Sequence, residues 1–210
     1  MKRLIIIGAR NLGREVLSLA KQCAEYGKEW EIGGFLDDKS SAIIEETYHL
    51  PVISSVEAYE PQDRDLFVCA LGIPEYKKKY IDLVVAKGGQ FTNLIHPTSI
   101  IHDNVNFGIG IIIQPYCIIS NDVILEDFVT VQAFSTVGHD SHCRMYSHLS
   151  AYSFLGGGVL IDEGGFTGTR CSILPQVKVG AYAKVGAQSL AIKHVVARTT
   201  VFGVPALKIN

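Results

Sequence analysis

From Ile101 to Ala191 the chain places an apolar residue at every sixth position. Counted in sixes, the first place reads Ile101, Phe107, Ile113, Ile119, Leu125, Val131, Val137, Cys143, Leu149, Leu155, Ile161, Thr167, Ile173, Val179, Val185 and Ala191, with Thr167 its single polar member. The fifth place holds a β-branched or small residue throughout, from Val105 and Ile111 to Ala183 and Ser189. Fifth place, sixth place and the next first place thus alternate in, out, in, as side chains of a strand do. Places two to four carry Gly, Asn, Asp and Pro, which suit a corner. Short strands joined by corners at a fixed period predict a parallel β-helix of hexapeptide repeats. An irregular β-sandwich has no reason to keep that register.

The first 95 residues follow other periods. Leu4 to Ile7, closed by Gly8, is a continuous apolar run that predicts a strand buried on both faces. Asn11 is a candidate cap for a helix from Leu12 to Tyr26, with Val16, Leu19, Ala20 and Cys23 on one face. Trp30 to Leu36 predicts a second strand, ended by Asp37-Asp38. Pro51 to Ile53 predicts a short third one, with Ser54 or Ser55 opening a short helix. Leu66 to Leu71 is another apolar strand, followed by a helix from Pro74 to Lys87 and a last strand from Phe91 to Ile95. Alternating strands and helices predict a small parallel, Rossmann-like α/β sheet over residues 1–95, and His96-Pro97 marks its boundary with a β-helix domain over residues 96–210.

Composition narrows the function classes. A formal charge of -2 with no basic stripe argues against nucleic acid. The apolar run after Met1-Lys2-Arg3 is too short for a signal segment or a membrane span, and the five scattered cysteines suit a reducing compartment, so a cytoplasmic protein with no membrane partner is expected. Three-sided coils, the geometry this repeat resembles, make 18 residues one turn. On that ruler His102 and His139 are 37 residues apart, one more than two coils, so they do not stack and no metal is expected. His139 stands at the third place of its hexad, an outward corner, and Asp140 follows it. That pairing suits a general base whose tautomer a carboxylate fixes, but position alone favours a corner histidine hydrogen-bonded to water.

Gly138-His139-Asp140-Ser141 within an uninterrupted hexapeptide helix, preceded by Leu94-Ile95-His96-Pro97 and closed by Val201-Phe202-Gly203-Val204-Pro205-Ala206, resembles the bacterial sugar acyltransferases of the NeuD and PglD kind. The resemblance covers essentially the whole chain. It implies a left-handed β-helix, a homotrimer, and acetyl-CoA as cosubstrate lying between two β-helices, with the α/β domain holding a sugar or nucleotide-sugar acceptor. It further implies His139 as base with Asp140 in the place of the family's usual Glu, and His148 near the thioester end of acetyl-CoA. Gly157, in Gly156-Gly157-Gly158, would face the thioester carbonyl and support an oxyanion, and Thr169 and Ala187 would contact the pantetheine arm.

In the α/β domain, Gly8-Ala9-Arg10-Asn11 resembles the family's acceptor loop and Asp37-Asp38 its acidic pair, giving Gly8, Arg10, Asn11, Asp37 and Asp38 as acceptor-binding candidates. Arg10 occupies the second glycine position of a dinucleotide fingerprint, so NAD is not expected. Leu12 stands where the family has histidine. A non-catalytic scaffold and an acetyltransferase for a small molecule such as serine are the rival functions.

Overall fold

The computed structural model describes residues 1–38 and 47–209, and its contacts divide the chain into two units, 1–97 and 98–210. In the first unit β1 (Lys2–Ile7), α1 (Asn11–Ala20), β2 (Trp30–Leu36), β3 (Val52–Ser54), β4 (Asp65–Cys69), α2 (Pro74–Ala86) and β5 (Gln90–Phe91) form a parallel sheet of order β3-β2-β1-β4-β5 with its helices, and β6 (Leu94–Ile95) follows. Leu4 to Ile7 are buried on both faces of the central strand, as a parallel sheet covered by helices requires. Gly13 lets α1 pack against the turn after β1, since a Cβ there would lie 1.9 Å from the Gly8 carbonyl oxygen.

Four expectations for this unit need correction. The first helix ends at Ala20, not Tyr26, and Cys23 is buried through a tertiary contact, its Sγ 3.7 Å from the Ile95 carbonyl oxygen. Asn11 is the first helical residue and not the cap. Arg10 holds the cap position, and the Asn11 side chain instead accepts a bond from Arg14 at 3.1 Å. Ser55 opens one hydrogen-bonded turn to Tyr59 in place of a helix. The strand expected over Phe91 to Ile95 is divided into β5 and β6.

The second unit is a parallel β-helix of two-residue strands, β7 (Ile100–Ile101) to β22 (Leu190–Ala191). Every pairing along the stack is offset by 18 residues, as in Ile118↔Thr136 and Thr136↔Phe154. The strands make three sheets. The first runs through β10 (Ile118–Ile119), β13 (Thr136–Val137), β16 (Phe154–Leu155) and β19 (Ser172–Ile173). The second holds β8 (Asn106–Phe107), β11 (Ile124–Leu125), β14 (His142–Cys143), β17 (Leu160–Ile161) and β20 (Lys178–Val179). The third holds β9 (Ile112–Ile113), β12 (Thr130–Val131), β15 (His148–Leu149), β18 (Phe166–Thr167) and β21 (Lys184–Val185), and is extended by β23 (Thr200–Phe202) and antiparallel β24 (Leu207–Lys208).

First-place residues from Ile113 to Ala191 are all buried. Thr167, the polar exception, bonds Ser153 inside the helix at 2.8 Å, so its hydroxyl is satisfied. Ser135 and Ser141 at fifth places bond the carbonyls of Ser150 and Gly156, each at 3.1 Å. The corners also have one rule: the fourth place takes a positive φ, from Asn104 at 59° through Asp140 at 59° to Gln188 at 57°. Its N–H then bonds the third-place carbonyl one coil earlier, as Asp140 does to Asn121 at 3.1 Å.

Fourth-place aromatics fall on two edges with different fates. On the edge between the third and first sheets Tyr116, Phe134 and Tyr152 stack at 5.0 and 4.9 Å as an exposed ridge, with Arg170 over Tyr152. Between the second and third sheets Phe128 and Tyr146 stack at 5.5 Å but are buried. Phe128 lies down over Gly110, where a Cβ would stand 2.4 Å from the ring.

Candidate active site

The edge between the first and second sheets is polar where the other edges are aromatic. Its third places run Asp103, Asn121, His139, Gly157 and Pro175, and its fourth places Asn104, Asp122, Asp140, Gly158 and Gln176. His139 is exposed, with 70 % of its side chain open to solvent, and its Nδ1 lies 2.6 Å from Asp140 Oδ2. A carboxylate only accepts hydrogen bonds, so in the neutral imidazole Nδ1 carries the proton and Nε2 keeps its lone pair. Asp140 has the positive φ of every fourth place, and its carboxylate reaches the residue before it.

Gly157 stands one coil above His139. The two coils are joined by Gly158 N–H donating to the His139 carbonyl at 2.8 Å. The imidazole extends over Gly157, where a Cβ would lie 2.5 Å from Nε2 and 2.6 Å from Cε1. No side chain fits there without moving the ring, so glycine at 157 is what leaves the imidazole its place. Nε2 and the Gly157 backbone therefore border the same small space.

The other expected positions of the β-helix lie elsewhere. Thr169 and Ala187 are exposed and stacked one coil apart on the edge between the third and first sheets, where Gln188 N–H bonds the Thr169 carbonyl at 2.9 Å. His148 is buried in the third sheet, its ring stacked on Phe166 at 5.3 Å between centroids. His139 and Gly157 thus come together, as do Thr169 and Ala187. Within one chain the two pairs occupy different edges, and His148 belongs to the sheet that the His139 edge does not border.

All five acceptor candidates line one cavity of about 440 Å³ in the first unit. It opens at the carboxyl ends of β1, β2 and β4, where the strand order reverses between β1 and β4. Ligands of open α/β sheets bind at such switch points. Gly8, Arg10 and Asn11 come from the turn after β1 and Asp37 and Asp38 from the end of β2, while Leu12 adds an apolar wall. Asp37 accepts the Ala9 N–H at 2.9 Å. Asp38 accepts the Val56 N–H at 3.1 Å and a short hydrogen bond from the Tyr80 hydroxyl. That bond, ahead of burial, pushes the Tyr80 hydroxyl up to about 12.

Sequence reasoning missed Tyr76 and Tyr80, which also line this cavity from α2. Their four-residue spacing just after Gly72-Ile73-Pro74, which puts both on one helical face, was the available signal. Among the described residues no group of three or more His, Cys, Asp or Glu could hold a metal ion, and no helix is long and apolar enough to cross a membrane.

Residues 3–84 match the family model of the PglD N-terminal domain. A GDP-perosamine N-acetyltransferase of Escherichia coli O157:H7 is 25 % identical over 184 residues, covering 80 % of this chain and 76 % of that protein. The acetyltransferase domain of PglB from Neisseria gonorrhoeae, solved in complex with acetyl coenzyme A, superposes with a TM-score of 0.87 at 26 % identity over 99 % of both chains. A mutant perosamine N-acetyltransferase from Caulobacter crescentus, solved with CoA and GDP-perosamine, has the same fold, with a TM-score of 0.90 at 23 % identity over all of this chain and 98 % of that one. An α/β unit followed by this β-helix, with these relatives, marks the chain as an acyltransferase of the hexapeptide-repeat superfamily. Within that superfamily the chain is similar to sugar acetyltransferases of the PglD type.

Proposed function

We propose that the protein transfers the acetyl group of acetyl-CoA to the amine of a nucleotide-linked amino sugar in surface-glycan biosynthesis, with His139 as general base. The observation that carries this is the His139 imidazole, held through Nδ1 by Asp140 with its free Nε2 over Gly157. The sugar amine attacks the thioester carbonyl, forming the C–N bond as Nε2 takes the amine proton. The Gly157 N–H supports the oxyanion, the C–S bond then breaks, and the proton passes from His139 to the departing thiolate. No covalent enzyme intermediate forms. General-base assistance of this kind contributes about 10²–10⁴-fold.

Thr169 and Ala187 are assigned to the pantetheine arm and His148 to the cofactor cleft. Because they sit on a different edge from His139, one acetyl-CoA reaches both sets only if a second copy completes the cleft, which supports a homotrimer. The cavity of the first unit takes the acceptor nucleotide through Gly8, Arg10, Asn11, Asp37 and Asp38. Buried, free cysteines at five positions suit cytoplasmic chemistry.

A thiol-release assay with acetyl-CoA tests the assignment against nucleotide-linked amino sugars, the matching hydroxy sugars and serine. Turnover is expected with the amino sugars. Turnover with serine alone would replace the proposal by a small-molecule acetyltransferase, and silence with every acceptor, together with no binding of acetyl-CoA, would leave a scaffold.

A further inference from the structure

The corners of the β-helix obey a second rule, one for the third-place N–H. Where the second place holds Gln or Glu, its side chain reaches the next coil and accepts the third-place N–H 19 residues later. Ala133 N–H donates to Gln114 at 3.1 Å, Met145 N–H to Glu126 at 3.1 Å and Ala151 N–H to Gln132 at 3.2 Å. A backbone N–H is a single donor, so these three have nothing left for a ligand. At two other corners the covering residue is glycine: Gly138 stands 19 residues before Gly157, and Gly168 stands 19 before Ala187. Among the described residues neither of these N–H groups has an acceptor. Backbone conformation does not call for glycine at 138 or 168, since neither has a positive φ. What a side chain would cover does. A Cβ at 138 would lie 2.8 Å from the Gly157 nitrogen, and one at 168 would lie 2.5 Å from the Ala187 nitrogen. Gly157 is half-buried and Ala187 exposed, so a ligand can reach both. The first donor opens beside His139, the residue after Gly138, and the second beside Thr169, the residue after Gly168.

We propose that Gly138 and Gly168 are positioning residues that hold two main-chain donors open for acetyl-CoA, the Gly157 N–H for the thioester carbonyl and the Ala187 N–H for an amide carbonyl of the pantetheine arm. The inference rests on the acyl-transfer reading above and adds what keeps its donors available. The thioester oxygen gains charge in the transition state, so its bond to Gly157 strengthens at the chemical step. The pantetheine amide keeps the same charge throughout, so its bond to Ala187 contributes to binding alone. The two glycines therefore act on different constants.

Gly138→Gln and Gly168→Gln install the cover that Gln114 and Gln132 supply elsewhere. Gly108→Gln is the control, because a Cβ at 108 would lie 2.6 Å from the Asp127 nitrogen, on the edge between the second and third sheets. Thiol release, calorimetry with CoA and acetyl-CoA, and unfolding midpoints are measured on each full chain. Gly138→Gln is expected to lower kcat by about 10²–10³-fold, the effect of losing one oxyanion donor, with CoA affinity within about threefold of wild type. Gly168→Gln is expected to weaken CoA and acetyl-CoA alike by about three- to tenfold, the size of one hydrogen bond, with kcat within about threefold. Gly108→Gln should keep wild-type turnover and binding. A merely steric role for the glycines would lower kcat, affinity and midpoint together, and that pattern overturns the proposal. In the wild type, residue-resolved amide exchange gives a second measurement that needs no variant. The Gly157 and Ala187 amides should exchange faster than those of Ala133 and Ala151; acetyl-CoA should slow both and CoA only Ala187. Gly157 or Ala187 amides as protected as Ala133 in the free protein, or wild-type constants in folded Gly138→Gln and Gly168→Gln, overturn the open donors and leave acyl transfer standing. A wild type that neither binds acetyl-CoA nor releases thiol takes both down.

Discussion

At residue 157 a single methyl group decides whether the imidazole can stay where it is. In Gly157→Ala the added carbon would lie 2.5 Å from His139 Nε2, too close for any side chain, so the ring must swing away. A displacement of about 1 Å at a reacting group can cost about 10²-fold in rate. Gly157→Ala is therefore expected to lower kcat by about 10- to 100-fold with little change in the unfolding midpoint, because the corner itself tolerates alanine: the φ of Gly157 is not positive. Wild-type kcat in that variant would contradict the placement of the ring. Much of this was legible in the sequence. His139 and Asp140 stand at third and fourth places, and 157 is one 18-residue coil beyond 139. That the imidazole lies along the stack rather than out into solvent was not legible, since a period gives positions and no rotamer.

Between elements, the foot of the α/β sheet is tied by Asp65, whose side chain is fully buried. It receives Arg3 at 2.7 Å, the Tyr59 hydroxyl at 2.7 Å and the Gln62 N–H at 2.9 Å, joining β1 to β4. Burial by itself would raise this carboxyl; the bonds from Tyr59, Gln62 and Arg3 outweigh it and hold it below the usual carboxylate range. A depressed native pKa gives stability that is present above the unfolded value and lost as pH falls through the native one. Asp65→Asn should cost about 1–3 kcal/mol at pH 7, and the gap to wild type should close on acidification below the ordinary carboxylate range. Urea unfolding of both proteins from pH 7 to pH 3 checks this, and a gap constant with pH would contradict it. No sequence pattern marks this network, because its members come from separate segments. The same limit hid the end of α1: Cys23 continues the helical spacing, yet its burial comes from Ile95. It also hid the burial of Phe128 and Tyr146, which share a hexad place with the exposed Tyr116 and Phe134.

For the whole molecule, the β-helix was legible almost residue by residue because its strands, core and corners repeat with one period that the apolar positions display directly. The α/β unit was legible as strand and helix order. Its cavity was not, since a switch point depends on strand order, which no local pattern carries. In the proposed reaction the two units supply different halves: an acceptor cavity at the sheet's carboxyl ends and an edge bearing His139, Asp140 and Gly157. Their joint activity is tested most directly by His139→Ala, with thiol release and acetyl-CoA calorimetry measured on the same preparation. Loss of about 10²–10⁴-fold in kcat with acetyl-CoA affinity within about threefold of wild type is the predicted result. Full turnover in His139→Ala would contradict it.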